Sequence, residues 1–203
     1  MMHDVTVILA AGAGTRLGGH GKALLRLHGE TLTARALRSA REAGTRPLLV
    51  LGHRAGPVRA ALAEAPGWAE EDVVDCPDWE RGLSASFRTG VHAAAQRGAE
   101  RVAVVLVDQP GIGAAALQAV LAGHAPGRIA RGLVAGSLTH PVVFELGAAQ
   151  ATAGLAVGDE GARPYLQAHA ELVDAIDITG LAEAQDIDTP EDLTVWADSP
   201  PTG

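Results

Sequence analysis

The first strong hydrophobic signal is Val5–Ala11, a short β-branched run that ends in glycines and so predicts a buried strand. After a glycine-rich stretch from Gly12 to Gly21 the apolar period lengthens, predicting a helix from about Thr31 to Ala43 that closes at Gly44. A second strand, Pro47–Leu51, leads to a helix near Val58–Glu64. A third, Asp72–Asp75, leads to a helix at Ser84–Gln96, and a fourth, Arg101–Val107, to a helix at Ala114–Leu121. Strands alternating with helices in this way build βαβ units, which implies an α/β three-layer sandwich around a mainly parallel, Rossmann-like sheet. Beyond about Pro126 the rhythm loosens. Ile129–Val134, Val142–Phe144 and Glu171–Ile176 read as short strands, and Asp159–His169 as a short helix. Thr189–Trp196 is a final helix capped by Thr189, with Pro190 at its first position. With no repeat or long linker in the sequence, residues 1–197 are expected to form one domain and 198–203 a disordered tail.

Composition narrows the function. A chain of 203 residues buries roughly 70% of its unfolded surface without covalent staples. Its one cysteine, Cys76, excludes an internal disulfide and any multi-cysteine metal site, and reads as a small half-buried hydrophobe. Net charge is −8 with no cluster of Lys and Arg, which argues against nucleic acid, whose binders draw most of their affinity from neutralising phosphates. One Tyr and two Phe argue equally against a base-stacking platform. The first apolar run is too short for a signal segment or a membrane span, so a soluble cytoplasmic protein with no membrane partner is expected. Any phosphate-bearing ligand is then small and held by local groups.

The segment Leu9-Ala-Ala-Gly-Ala-Gly-Thr-Arg-Leu-Gly-Gly-His-Gly-Lys22 is suited to such a ligand. Glycines leaving a buried strand let backbone N–H groups approach an anion, and Arg16 and Lys22 add formal charge. It is not a Walker loop, because Arg16 and Ala23 stand where Gly and Ser or Thr are required. Nor is it a dinucleotide fingerprint. After Gly12 and Gly14 the third glycine falls at Gly18, one residue late, and the second strand ends Leu51-Gly52 without an acid for a ribose. Downstream, Val104-Val-Leu-Val-Asp-Gln-Pro110 places Asp108 at the C-terminal end of a buried strand, where open parallel sheets bind ligands. A carboxylate there suits Mg²⁺, which takes one or two carboxylates plus phosphate oxygens and water.

The loop resembles the signature of the molybdenum cofactor nucleotidyltransferases and their sugar-nucleotide and isoprenoid-precursor relatives, which share the nucleotide-diphospho-sugar transferase type of fold. Asp108-Gln109-Pro110 resembles the motif of the cytidylyl branch, and Asp188-Thr-Pro-Glu-Asp-Leu193 the ending of these transferases. Gly82-Leu-Ser-Ala-Ser-Phe-Arg-Thr-Gly90 is similar to the segment that meets the base. Thr139-His-Pro and Gly158-Asp-Glu-Gly-Ala-Arg163 are similar to two further landmarks. The resemblance implies Mg²⁺-dependent transfer of CMP from CTP to the phosphate of molybdopterin bearing molybdenum, with release of pyrophosphate and a transient contact with a molybdoenzyme. It implies a nucleotide site at Leu9, Ala10, Ala11, Gly12, Gly14, Arg16 and Lys22, with Gly82, Ser84 and Ser86 at the base. Arg16, Lys22 and Asp108 are then catalytic, Asp108 and Asp188 hold the metal, and His140, Asp159 and Arg163 face the acceptor.

Three positions depart from the pattern. Gly21 stands where the cytidylyl branch carries Pro, Gly18-Gly19 is similar to the GTP-using branch, and Thr139 replaces Gly before His140. GTP in the same pathway, or another phosphorylated acceptor, is therefore the alternative. Two other classes stay in view: a nicotinamide or flavin dehydrogenase on a similar sheet, and a non-enzymatic nucleotide or cofactor carrier.

Overall fold

A computed structural model describes residues 3–14, 21–65 and 67–198. The expectations on Arg16, Gly18 and Gly19, and on 199–203 of the tail, lie outside the described residues. In chain order the elements are β1 (Asp4–Leu9), β2 (Arg26–Leu27), β3 (Glu30–Thr31), α1 (Leu32–Glu42), β4 (Arg46–Leu51), α2 (Ala55–Ala63), β5 (Val73–Asp75), α3 (Leu83–Gln96), β6 (Arg101–Leu106), α4 (Ala114–Ala122), β7 (Ile129–Val134), β8 (Ser137–Glu145), α5 (Leu146–Leu155), α6 (Arg163–Ala168), β9 (Val173–Asp177) and α7 (Pro190–Asp198).

Among the described residues seven strands form one sheet in the order β5-β4-β1-β6-β8-β7-β9, and β2 pairs with β3 apart from it. Only β8 runs against its neighbours; the other pairs in the seven-stranded sheet are parallel. Reversing β8 brings its first residues to the edge where β1, β6 and β7 end. A two-residue turn joins β7 to β8 there. Ala135 (φ 48°) and Gly136 (φ 82°) both adopt the left-handed conformation that tight hairpins demand.

The central strands are apolar without alternation because both faces are covered. Ile8, Leu49, Leu51, Ala103 and Val105 pack on one side with Leu37, Leu62 and Leu117 from α1, α2 and α4. Val5, Val7, Leu48, Val50, Val102 and Val104 pack on the other with Phe87 and Val91 of α3 and Ala149 and Ala153 of α5. The buried hydroxyl of Thr6 meets Thr45 Oγ1 at 2.7 Å, and Thr45 donates on to Ala40 O at 2.9 Å, so this interruption is satisfied.

Four features differ from the sequence expectation. Helix α5 was unmarked because it buries only the small side chains Ala149, Thr152 and Ala153, giving no contrast between faces. Strand β8 extends well beyond Val142–Phe144, since pairing to β6 and β7 continues past its apolar centre. The segment Asp159–His169 divides into a 3₁₀ turn, Gly158–Glu160, and α6. Cys76 is buried, at 1% exposure, rather than half-buried. No helix of the described residues is long and apolar enough to cross a membrane.

Candidate active site

The ends of β1 and β6 open on a cleft of about 370 Å³. Its wall includes Leu9, Ala10, Ala11, Gly12, Ala13 and Gly14 from the first loop, then Lys22, Gly82, Leu83 and Ser86. Leu106, Val107, Asp108 and Asp159 complete it with Trp79 and Glu80. A larger cavity of about 650 Å³ lies between α1, α2 and the β2–β3 hairpin. There Arg38 is neutralised by Glu30 and Glu42, at 3.1 and 3.2 Å, and neither Lys22, Asp108 nor Asp188 lines it. The chemistry belongs to the smaller cleft.

Lys22 is the hub. Its Nζ donates to Asp108 Oδ2 at 2.6 Å and also to Asp188 Oδ1. Burial disfavours the ammonium, but the two carboxylates outweigh it and hold Lys22 above the usual lysine pKa. The acids come from distant parts of the chain, and the backbone holds them together: Ile187, itself buried, donates its N–H to Asp108 O at 2.8 Å. Asp188 is then aimed by the start of α7. Thr189 Oγ1 accepts from Asp192 N at 3.2 Å, while Asp192 Oδ2 accepts from the backbone N–H of Thr189 at 2.8 Å and of Asp188 at 3.0 Å. Thr189 and Asp192 form the reciprocal cap, which leaves the Asp188 side chain to face Lys22.

A polar chain runs outward from this hub. Gln109 Nε2 donates to Asp186 Oδ1 at 2.8 Å, and Gln109 Oε1 lies 3.1 Å from His140 Nδ1. Because the amide nitrogen is committed to a carboxylate, His140 must donate from Nδ1, which leaves Nε2 as an acceptor. Burial first and the Arg131 charge second push the His140 pKa down to about 4. The ring is neutral at neutral pH. Loss of water, followed by the charges of Asp108 and Asp188, pushes the Asp186 carboxyl up.

Two carboxylates converging on one cation form an oxygen donor set, and Mg²⁺ or a similar hard ion fits it. Among the described residues no three acidic, His or Cys side chains group to hold a metal, so an ion at Asp108 and Asp188 would take its remaining ligands from a nucleotide and water.

Of the residues anticipated from sequence, Ser84, His140 and Arg163 do not line the cleft. Ser84 is buried in α3, at 1% exposure, and does not line the cleft, whereas Ser86 does. Asp159 Oδ1 accepts from Leu83 N at 3.2 Å, tying the Gly158–Glu160 turn to the start of α3. His140 joins the hub only through Gln109, and Arg163 is exposed on α6. Sequence reasoning missed Trp79, Glu80 and Asp186. The spacing Asp186-Ile-Asp188 was a usable signal, since alternation about a buried Ile187 sets two acids on one side. Trp79 packs edge-on to His53, with ring centroids 5.2 Å apart, and no local pattern marked it.

Residues 6–173 match the MobA-like NTP transferase domain. The chain is 35% identical over 195 residues to nicotine blue oxidoreductase of Paenarthrobacter nicotinovorans, covering 92% of this chain and 93% of the relative. It is 39% identical over 109 residues to a probable molybdenum cofactor guanylyltransferase of Opitutus terrae, covering 53% and 49%. Among solved structures it is similar to Rv0371c of Mycobacterium tuberculosis, with TM-score 0.77 and 28% identity over 98% of this chain and 99% of that one. Rv0371c has also been solved with manganese, with TM-score 0.73 and 25% identity over 98% of this chain and 100% of that one. A match over most of the length decides the family: this chain belongs to the MobA-like NTP transferases and is a nucleotidyltransferase.

Proposed function

We propose that the protein transfers CMP from CTP to the phosphate of molybdenum-bearing molybdopterin, releasing pyrophosphate, in the cytoplasm. The observation that carries this is the convergence of Lys22, Asp108 and Asp188 beside the glycine loop at the strand edge. Asp108 and Asp188 would hold Mg²⁺, which supplies charge neutralisation to the triphosphate when bound. Lys22 exchanges its carboxylate partners for phosphate oxygens, and Arg16 adds its formal charge to the same phosphates. An oxygen of the acceptor phosphate forms the new bond to the α-phosphorus, and the bond from that phosphorus to the pyrophosphate oxygen breaks. The attacking oxygen is already ionised at neutral pH, so no side chain need remove a proton, and positioning with charge neutralisation suffices.

Ala11 and Asp108-Gln109-Pro110 favour CTP, with Gly82 and Ser86 within reach of the base. Kinship to a protein named a guanylyltransferase keeps GTP as the alternative. A second reading, nicotinamide binding, is favoured by the full-length relative named an oxidoreductase. Thermal stabilisation by CTP, GTP, ATP, UTP and NADH, with Mg²⁺ and again with EDTA, separates these. A ligand at a hundred times its Kd adds about 2.7 kcal/mol. Mg²⁺-dependent stabilisation by CTP above the others is expected. A preference for GTP moves the enzyme to the guanylyl branch, and a response to NADH alone overturns the cytidylyl proposal.

A further inference from the structure

We propose that Gln109 is a positioning residue for nucleotidyl transfer: through Asp186 it keeps Asp188 opposite Asp108 while Lys22 turns to the nucleotide. This rests on the transferase reading above. Asp108 follows the end of β6, whereas Asp188 arrives on residues 183–188, a stretch with no helix or strand of its own. Two backbone hydrogen bonds lay that stretch along the chain leaving β6: Ile187 N to Asp108 O at 2.8 Å and Glu183 N to Gly111 O at 3.4 Å. The approach is close, since a Cβ on Gly111 would stand 2.4 Å from Glu183 O. Two such bonds define an axis about which the stretch can still roll, and a roll swings the Asp188 side chain. The buried Ile187 side chain resists that roll on one side, and the bond from Gln109 to Asp186 resists it on the other.

Gln109 is itself firmly held. It is 8% exposed and bonds to two separate parts of the chain. Its Nε2 donates to Asp186 Oδ1 at 2.8 Å and to Thr139 Oγ1 at 3.4 Å, and its Oε1 accepts from His140 Nδ1 at 3.1 Å. The amide is thus braced against β8 and applied to Asp186. A carboxylate only accepts, so the amide cannot flip without losing that bond. Lys22 holds Asp188 as well, but in the proposed reaction it moves to phosphate oxygens. The Gln109–Asp186 bond does not depend on Lys22, and so it persists when that contact is given up. A misplacement of about 1 Å at a reacting centre can cost about a hundredfold in rate.

The test compares wild type with Asp186→Asn, Asp186→Ala, Gln109→Glu and the double exchange Gln109→Glu/Asp186→Asn. Asn and Ala remove the same charge, but only Asn keeps an oxygen for Gln109 Nε2. Gln109→Glu sets two carboxylates against each other. The double exchange restores the bond with donor and acceptor reversed, while the new glutamate still accepts from His140. Mn²⁺ affinity is read by electron paramagnetic resonance with a non-hydrolysable CTP analogue bound. Pyrophosphate release from CTP, with molybdopterin as acceptor, gives kcat and KM. We expect Asp186→Ala to bind Mn²⁺ about fivefold or more weakly than Asp186→Asn, and to show a kcat lower by about tenfold or more. KM for CTP should stay within about twofold. Gln109→Glu should lose kcat similarly, and the double exchange should recover most of it. Asp186→Asn as impaired as Asp186→Ala would make the charge the active element and overturn the proposal. So would wild-type kcat in Asp186→Ala, or no recovery in the double exchange. Should Gln109→Glu fail to fold, the Asn and Ala pair decides, because Asp186 lies outside the buried core. Absence of Mn²⁺ binding with nucleotide in wild type would count against the transferase reading. Thermal melts in EDTA then judge the bond itself: equal melting of Asp186→Asn and Asp186→Ala, with no recovery in the double exchange, overturns it.

Discussion

Gly82 is the hinge between the Trp79–Arg81 turn and α3, and its replacement by alanine gives a sharp test of the cleft's construction. Its backbone lies at φ 92°, ψ −173°, a region that only glycine occupies without strain. An added Cβ would stand 2.4 Å from Asp159 Oδ1 and 2.8 Å from both C and O of Gly158. The Asp159 carboxylate can swing aside only by giving up its bond to Leu83 N, and the Gly158 backbone cannot swing at all. Strain costs about 1–3 kcal/mol, the lost hydrogen bond about 1, and the forced repacking about 1–3. A total of about 5 kcal/mol lowers the melting temperature by roughly 10–20 °C in a domain of this size. Gly12→Ala is the control: it also lines the cleft, its added Cβ meets none of the described residues within 4 Å, and it should melt within about 0.5 kcal/mol of wild type. Thermal and urea melts of both variants make the comparison. If Gly82→Ala melts within about 2 °C of wild type, the close approach of α3 to the Gly158–Glu160 turn is wrong.

Two further outcomes follow from the charges. His140 has its pKa lowered from 6.5 to about 4, so between those values the unfolded chain takes up the proton first; stability falls as pH drops through that window and is insensitive to His140 above it. Asp186, whose pKa is raised, acts in the opposite sense at the acid end, so the difference between wild type and His140→Gln isolates the histidine. Urea titrations should show that difference growing toward a ceiling of about 3 kcal/mol near pH 4, and parallel curves would refute it. Lys22→Ala frees Asp108 and Asp188 from their internal cation. Mg²⁺ alone should then stabilise the variant more than wild type, while nucleotidyl transfer drops by about a hundredfold or more in a pyrophosphate-release assay. Full turnover would remove Lys22 from the catalytic set.

The central architecture was legible because burial on both faces writes a nearly continuous apolar run into β1, β4 and β6. Asp108 stood out as a carboxylate ending one of those runs. The reach of Lys22 to both acids is a tertiary fact that no local spacing encodes, although each residue was singled out separately. Helix α5 was invisible because small residues suffice where a helix lies close against its neighbours. Ser84 and Ser86 looked equivalent in sequence and both are buried, yet the helical turn places only Ser86 in the wall of the cleft. Trp79 is defined by a neighbour far along the chain, His53, and so carries no pattern of its own.

The reversed strand β8 has an engineering consequence. Its connection to β7 is already the shortest that a hairpin allows, two residues with both backbones left-handed, and it projects from the edge on which the cleft opens. Residues can be added at Ala135-Gly136 and hardly removed. Extra chain inserted there would grow outward from the sheet as an overhang, leaving the register of Val142 and Val143 against β6 and β7 intact. The same core could thus be fitted with wider or narrower thresholds by changing one turn, which makes that hairpin the natural graft point for re-targeting the enzyme to acceptors of different length.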